Sequence, residues 1–87
     1  ALWKVNKMEA RYAPNFKQDY QSLSDEIKKK FKKQITYLIQ NFRHPSLKAK
    51  KYDEERSIWQ ARVDKNFRFY FLIEKDIYIL LDIKRHD

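Results

Sequence analysis

Three apolar stretches with alternating polar residues dominate the second half of this 87-residue chain. They read SIWQARV at 57–63, FRFYFLI at 67–73 and IYILLDI at 77–83. A period of two places successive side chains on opposite faces, so each stretch predicts a strand. Short polar segments separate the strands, VDKN at 63–66 and EKD at 74–76. The pattern therefore predicts a three-stranded antiparallel meander with two tight turns, the first with Asn66 in the left-handed conformation.

The first half of the chain has helical spacing. The segment KMEARY at 7–12 predicts a short strand, which Pro14 ends. A helical turn or two should follow, carrying Phe16, Tyr20 and Leu23. Ser24 is a typical N-cap before two acidic residues, so a longer helix is expected from residue 25. Its apolar stripe comprises Ile27, Phe31, Ile35, Leu38, Ile39 and Phe42. This helix should end at residues 41–44, because Pro45 disfavours helical geometry in the residue before it.

Taken in order, these elements predict an α+β fold. An N-terminal strand precedes a two-helix hairpin and then the three-stranded antiparallel meander, with the helices packed on one face of the sheet. Residues 1–87 are expected to form a single domain, since no repeat or linker interrupts them and a chain of this length supplies only one modest core. The other face of the sheet is then open to a ligand.

The composition restricts the class of partner. Twenty Lys and Arg residues against twelve Asp and Glu residues give a net charge of +8, which favours nucleic acid, or else a membrane surface or an acidic protein. Cys and Gly are absent, which excludes disulfides, thiol nucleophiles and glycine-rich phosphate loops, and no cofactor is expected. No apolar run has signal-peptide or membrane-spanning length, so a cytoplasmic protein without a membrane partner is expected.

Two arginines interrupt the apolar strands. In FRFYFLI one face carries Phe67, Phe69, Phe71 and Ile73, and the other carries Arg68, Tyr70 and Leu72. The all-apolar set should lie under the helices, which places Arg68 on the open face. Arg62 alternates in the same way with its neighbours, but whether both arginines point to one side depends on the intervening loop. They either bind an anion such as phosphate or form ion pairs with Asp64, Asp82 or Glu74.

Other polar residues add candidates near the predicted open face. Tyr70 could stack a base or cover the sheet edge. Lys84, Arg85 and His86 end the last strand, and His86 could give or take a proton in RNA cleavage or be a solvated residue. His44 is a weaker candidate. With two histidines and no cysteine, no metal site is expected.

Two basic runs lie outside the meander. KKKFKK at 28–33 occupies the outer faces of the long helix, and KAKK at 48–51 adds Lys48, Lys50 and Lys51. Each run is either a solvated face or an electrostatic footprint for RNA.

The chain resembles a known family in the order strand, helical hairpin, HPSLKAKKY, IWQARVDKNFRFYF and a final KRHD. Over residues 8–87 it is similar to the RelE/ParE superfamily of bacterial type II toxins. The spacing of Trp59, Arg62, Arg68 and His86 resembles the YoeB-type branch, whose members cleave messenger RNA in the ribosomal A site.

This resemblance implies roles for particular residues. Arg68 would stabilise the developing phosphorane charge, Arg62 would hold the phosphate, and His86 would act as general acid toward the leaving 5′-oxygen. Lys50 and Lys51 fall near the lysines that RelE-like toxins use for phosphate contact, without a fixed register between them.

The sequence departs from the YoeB pattern in two places. The catalytic glutamate would align near His44 or Pro45, where there is no carboxylate, and Glu54 and Glu55 come later. The tyrosine that closes the site after the last strand is replaced by Asp87. Either His44 or a lysine takes the place of the base, or cleavage is weak or lost.

The resemblance implies a ribosome-dependent, metal-independent endoribonuclease toxin, held inactive by a small antitoxin in a hetero-oligomer. Its other partners would be the ribosome and messenger RNA, with ribosomal RNA contacts on the basic helix face. Two alternatives remain at this point. One is a ParE-like inhibitor of DNA gyrase that acts by protein binding, and the other is a catalytically inactive RNA-binding relative.

Overall fold

A computed structural model describes residues 8–86 of the chain. Its elements are β1 (Glu9–Tyr12), α1 (Pro14–Gln21), α2 (Asp25–Gln40), a short 3₁₀ helix (Pro45–Leu47), β2 (Lys50–Asp53), β3 (Ile58–Arg62), β4 (Phe67–Glu74) and β5 (Ile77–Arg85). The five strands form one sheet in the order β1-β5-β4-β3-β2. Strand β1 runs parallel to β5, and the other neighbouring strands are antiparallel. The predicted α+β class is confirmed, while Lys7 of the predicted first strand lies outside the described residues.

Both helices begin where the sequence indicates. Pro14 occupies the first turn of α1, where a missing N–H costs no helical hydrogen bond. The Ser24 hydroxyl accepts a hydrogen bond of 3.3 Å from the backbone N–H of Ile27 and so caps α2. Helix α2 ends at Gln40, because Asn41 is already extended. Neither helix is long and apolar enough to span a membrane within the described chain.

The core lies between the helices and one face of the sheet. Its largest fully buried side chains are Leu38, Leu47, Phe69, Phe71, Leu80 and Ile83. Phe31 of α2 packs edge-on against Phe69, with ring centroids 5.2 Å apart. The expectation that Ile73 lies under the helices is wrong, since this side chain is 38% exposed near the second turn. The helices therefore cover the middle of β4 but not its end.

Strand β2 is absent from the predicted meander. Its sequence KKYD shows no apolar alternation, and it becomes a strand through pairing with β3. Lys51 lies opposite Trp59 and Asp53 opposite Ile58, so that Tyr52 is the extra residue of a bulge. Strand β2 thereby forms an edge of the sheet next to β3, the strand that carries Arg62.

The loop between β3 and β4 closes differently from the prediction. Among residues 8–86 the residues with positive φ are Lys48, Ser57 and Lys75, so the predicted left-handed Asn66 is wrong. The Asp64 carboxylate instead accepts hydrogen bonds of 2.8 Å from the backbone N–H groups of Asn66 and Phe67. The Asp64 side chain thus stabilises the turn for which a left-handed Asn66 was expected. The second turn is confirmed, with Lys75 at φ 52°.

Candidate functional site

Arg62 and Arg68 project from the same face of the sheet. They lie directly opposite each other on β3 and β4, and residues paired in this way share a face. The neighbouring pair Ala61 and Phe69 is fully buried under the helices. The two arginines therefore occupy the open face together, which settles the question that the loop left open.

Arg68 is held in place by its own hairpin. Its Nη1 donates to the carbonyl oxygens of Asp64 at 2.8 Å and Phe67 at 3.0 Å, and only 8% of the residue is exposed. A guanidinium has five N–H donors in a rigid fork, so donors remain for a ligand. Within residues 8–86 no carboxylate lies within 4.0 Å of either arginine. The ion pairs considered for these arginines are not formed in that part of the chain.

A depression of about 320 Å³ surrounds the arginine pair. Its polar lining consists of Lys48, Lys50, Gln60, Arg62, Arg68 and His86. Four cationic side chains converge there, and no carboxylate among residues 8–86 lines the depression. Such a group of like charges repels itself unless an anion is bound. The site is therefore suited to a phosphate group.

His86 reaches this depression through the end of the last strand. Its backbone N–H donates a hydrogen bond of 2.7 Å to the carbonyl oxygen of Asn66 in the hairpin loop. This contact ties the chain after β5 to the loop that also holds Arg68. The imidazole is thereby placed beside the guanidiniums, whereas Asp87 lies outside the described residues.

The register of β2 separates the two candidate lysines. Lys50 pairs with Gln60 and lines the depression on the open face. Lys51 pairs with Trp59 on the other face, where its Nζ lies 5.0 Å from the indole centroid. Of the two, only Lys50 is placed to meet the same anion as the arginines.

Lys48 also lines the depression and has an unusual backbone. Its φ of 46° and ψ of 46° are in the left-handed region, which is costly for a residue with a Cβ. Its N–H donates to the carbonyl of Pro45 at 3.3 Å, so that it ends the 3₁₀ helix. This turn carries Lys48 from the helix layer to the edge of the open face.

Three other predicted residues lie near the site but do not line it. Lys84 pairs with Arg68 across β4 and β5, and its Nζ lies 5.3 Å from the ring centroid of Tyr70. Arg85 packs on Phe67 at 5.5 Å. Tyr70 is on the open face but only 6% exposed, and its hydroxyl accepts a hydrogen bond of 3.1 Å from Gln60. Tyr70 is thus a buried residue that packs beneath the open face of the sheet.

His44 belongs to a different depression. Its Nδ1 accepts a hydrogen bond of 3.2 Å from the backbone N–H of Ser46 and lies 2.9 Å from that residue's hydroxyl. The imidazole stacks on Tyr37 with ring centroids 3.8 Å apart. It lines a smaller depression with Pro45 and Lys48. The structure therefore does not bring His44 together with the arginine pair.

Sequence reasoning missed Gln34, Gln60 and Tyr52. Gln34 is a buried polar residue on the apolar stripe of α2. A polar residue within an apolar stripe is the sequence signal that could have identified it. Gln60 lies two residues before Arg62 and has no distinguishing pattern of its own. Tyr52 has no distinguishing pattern beyond an aromatic ring after two lysines. All three depend on contacts between distant parts of the chain.

Two carboxyl groups near the site are shifted in opposite directions. Burial alone would raise the pKa of Asp64, but hydrogen bonds from Asn66, Phe67 and Lys30 together lower it below its usual value. Burial, together with a hydrogen bond and charge from Asp19, raises the pKa of Asp82. No group of three His, Asp or Glu side chains suited to a metal ion is found in residues 8–86.

The basic run of α2 lies away from the arginine pair. Lys30 bridges Glu26 at 3.6 Å and Asp64 at 3.3 Å, and Lys28 lies 5.5 Å from the ring centroid of Tyr20. Lys29, Lys32 and Lys33 are exposed. Most of the run is thus a solvated helix face, linked to the site only through Lys30 and the hairpin.

Other proteins of solved structure share the two-layer α+β fold of this chain. No family model and no curated protein sequence matches the chain. Solved structures do match it. The YoeB dimer from Staphylococcus aureus is 15% identical, with 93% of this chain and 99% of that one covered at a TM-score of 0.77.

Two further structures show the same likeness. YafQ from Escherichia coli strain BL21(DE3) is 15% identical, with 92% of this chain and 94% of that one covered at a TM-score of 0.74. The archaeal RelE–RelB complex from Pyrococcus horikoshii OT3 gives 13% identity, coverages of 93% and 96%, and a TM-score of 0.74. The chain has the RelE/ParE fold. Its structural neighbours include YoeB-type toxins.

Proposed function

We propose that this chain is the toxin of a type II toxin–antitoxin pair and that it cleaves messenger RNA on the ribosome. The observation that carries the proposal is the opposed pair Arg62 and Arg68, with His86 beside them in a depression where the described part of the chain contributes no carboxylate. The shared fold with YoeB, YafQ and RelE is a second, coarser support.

The proposed reaction is a transesterification within the RNA. The ribose 2′-oxygen attacks the adjacent phosphorus, the bond from phosphorus to the 5′-oxygen breaks, and a 2′,3′-cyclic phosphate and a free 5′-hydroxyl result. Arg62 holds the phosphate, and Arg68 stabilises the extra negative charge of the phosphorane. His86 delivers the proton that the leaving 5′-oxygen requires.

The 2′-hydroxyl proton needs a separate acceptor. Glu54 is the carboxylate that contacts Lys51 at 3.9 Å on the other side of β2, and it does not line the depression. In its deprotonated form the amine of Lys48 or Lys50, both of which line the depression, accepts this proton, or else a water molecule does. Because the site lacks a carboxylate base among residues 8–86, we expect it to react more slowly than a site that has one.

Mapping RNA ends on ribosomes tests the proposal. Ribosomes carrying a defined messenger RNA are mixed with the purified chain, and the new ends are sequenced and tested for cyclic phosphate. Arg68→Ala and His86→Ala should each lower the rate by about 10²-fold or more, while Lys51→Ala should not. A messenger RNA with a 2′-O-methyl group at the cut position should stay intact. If the first two variants arrest growth as strongly as the parent while gyrase activity falls, the chain is a gyrase inhibitor instead.

An antitoxin partner is part of the proposal. Structural neighbours are solved as complexes, among them DinJ–YafQ from E. coli and YoeB–YefM from S. aureus. The convergent cations and the net charge of +8 favour an acidic segment that covers the depression. An acidic protein encoded beside this chain should copurify with it, and Arg62→Glu with Arg68→Glu should release that protein. Unchanged copurification would place the antitoxin elsewhere.

A further inference from the structure

Tyr52 is an exposed aromatic ring that is nevertheless held in position. It is 58% exposed, the highest value among the large hydrophobic residues of 8–86. Its ring packs on Tyr70 at a centroid distance of 4.8 Å and an interplanar angle of 63°. Tyr70 is in turn fixed by the hydrogen bond from Gln60 and by Lys84 over its ring. The exposed ring therefore rests on a buried and fully packed support.

This ring adjoins the arginine depression. Lys50, which lines the depression, precedes Tyr52 by two residues on the same strand, and Gln60, which also lines it, contacts Tyr70. Gln60 and Tyr70 form the next pair on the same face of β3 and β4 as Arg62 and Arg68. Same-face neighbours on a strand are about 7 Å apart, comparable with the length of one nucleotide.

The β2 bulge gives Tyr52 its place. As the extra residue between Lys51 and Asp53, it has no partner position on β3. Bulges at sheet edges redirect side chains and are frequent beside functional sites. Single exposed aromatic residues are common and need no ligand. Here, however, the ring is supported from behind by Tyr70, and Tyr70 with Gln60 is the same-face pair next to the arginine pair of the cationic depression.

We propose that Tyr52, supported by Tyr70, is the stacking platform for a nucleobase of the nucleotide next to the phosphate that Arg62 and Arg68 bind. The inference rests on the proposed function and adds a base-binding subsite to it. The occupant is single-stranded RNA, because a base in a duplex already stacks on its neighbours. Stacking on an aromatic ring tolerates all four bases, so the subsite contributes affinity and position with little sequence preference.

An abasic scan tests the platform. A single-stranded RNA of about eight nucleotides, 2′-O-methylated against cleavage, is compared with the same RNA carrying one abasic ribose at each position in turn. Binding is measured at one fixed salt concentration for the parent chain and for Tyr52→Leu, Tyr52→Phe and Tyr12→Leu. Tyr12 is the matched control, since it is an exposed tyrosine that contacts Phe16 and Phe31 on the helix side.

The expected result is specific to one position. The parent should lose about 5- to 100-fold in affinity when a single base is removed, and Tyr52→Leu should show the same loss with intact RNA and no further loss at that position. Tyr52→Phe and Tyr12→Leu should behave as the parent. The proposal is wrong if the parent shows no loss of affinity that depends on the position of the abasic ribose. It is also wrong if Tyr52→Leu shows the same position-dependent loss as the parent.

Arginine variants separate this inference from the proposed function. If Arg62→Ala and Arg68→Ala weaken binding and Tyr52→Leu does not, the platform fails and the phosphate site stands. If Tyr52→Leu weakens binding and the arginine variants do not, the anion site of the proposed function fails and, with it, the placement of the base next to that phosphate. If the folded parent, checked by circular dichroism, binds none of the RNAs, both are overturned.

Discussion

The side-chain amide of Gln34 donates a hydrogen bond of 2.9 Å to the backbone carbonyl of Arg62. The same Nε2 donates to the carbonyl of Ser46 at 3.2 Å, and the Ser46 hydroxyl donates back to the Gln34 carbonyl oxygen at 3.3 Å. One buried residue of α2 thus holds both the strand that carries Arg62 and the segment that leads to Lys48. The helix layer positions the cationic depression from behind.

Replacing this amide should weaken both the fold and the site. Gln34→Leu keeps the volume but removes hydrogen bonds to two carbonyls, and we expect the free energy of unfolding to fall by about 1–3 kcal/mol. Urea denaturation measures this directly. Gln40→Leu on the exposed end of the same helix is the control and should change little. Equal stability of both variants would show that the two carbonyls have other partners.

Arg68 should not be replaceable by lysine. One guanidinium nitrogen is engaged by the carbonyls of Asp64 and Phe67, which leaves the rest of the fork for the phosphate. An ammonium group cannot make both sets of contacts in one plane, so Arg68→Lys should lower the cleavage rate almost as far as Arg68→Ala, by about 10²-fold. Single-turnover cleavage on programmed ribosomes provides the measurement. If Arg68→Lys cleaved at a rate within a few-fold of the parent, the interpretation that Arg68 contacts the two carbonyls and the phosphate at once would be wrong.

The two adjacent lysines of β2 should differ in their effect on RNA binding. Lys50→Ala removes a cation from the depression, so affinity for RNA should fall and the slope of log affinity against log salt should decrease by about 1. Lys51→Ala removes a cation on the opposite face and should leave the slope unchanged. Titrations at several salt concentrations distinguish the two. The reverse order would mean that β2 pairs with β3 in a register shifted by one residue.

The lowered pKa of Asp64 predicts a pH-dependent contribution to stability. A carboxyl whose pKa is lower in the folded chain stabilises it above the ordinary carboxyl range, and this contribution is lost as the pH falls through the lowered value. Asp64→Asn should therefore reduce the free energy of unfolding by about 1 kcal/mol at pH 7. The difference from the parent should shrink below about pH 4, as denaturation at a series of pH values would reveal.

Asp82 supplies the comparison with the opposite sign. Because the pKa of its carboxyl is raised in the folded chain, the ionised form is disfavoured there and stability is lost as the pH rises through that pKa. Asp82→Asn can still accept the hydrogen bond of 2.7 Å from Asn15, so it should be at least as stable as the parent at pH 7. A destabilised Asp82→Asn at neutral pH would show that its contact with Lys84 outweighs burial and Asp19.

Much of the fold followed from local patterns. The cap at Ser24, the stripe on α2 and the alternation in three strands are properties of short segments, and the structure contains them except for Phe42, which follows the end of α2, and Ile73, which is exposed. Strand β2 escaped prediction because it lacks an apolar face of its own. Asn66 was assigned the wrong role because the Asp64 side chain supplies the turn's hydrogen bonds, a choice that depends on how the loop packs against Lys30.

Local alternation in the chain determined which residues share a face with Arg68 and which share a face with Arg62, since side chains on a strand alternate whatever lies beside it. Only the tertiary structure decided that these two faces are the same one, that Lys50 and not Lys51 joins them, and that Tyr52 lies beside them. The physical reason is that pairing register is a relation between strands. It is fixed by a turn, a bulge and a helix amide that are distant in sequence, and a shift of one residue would reverse every assignment.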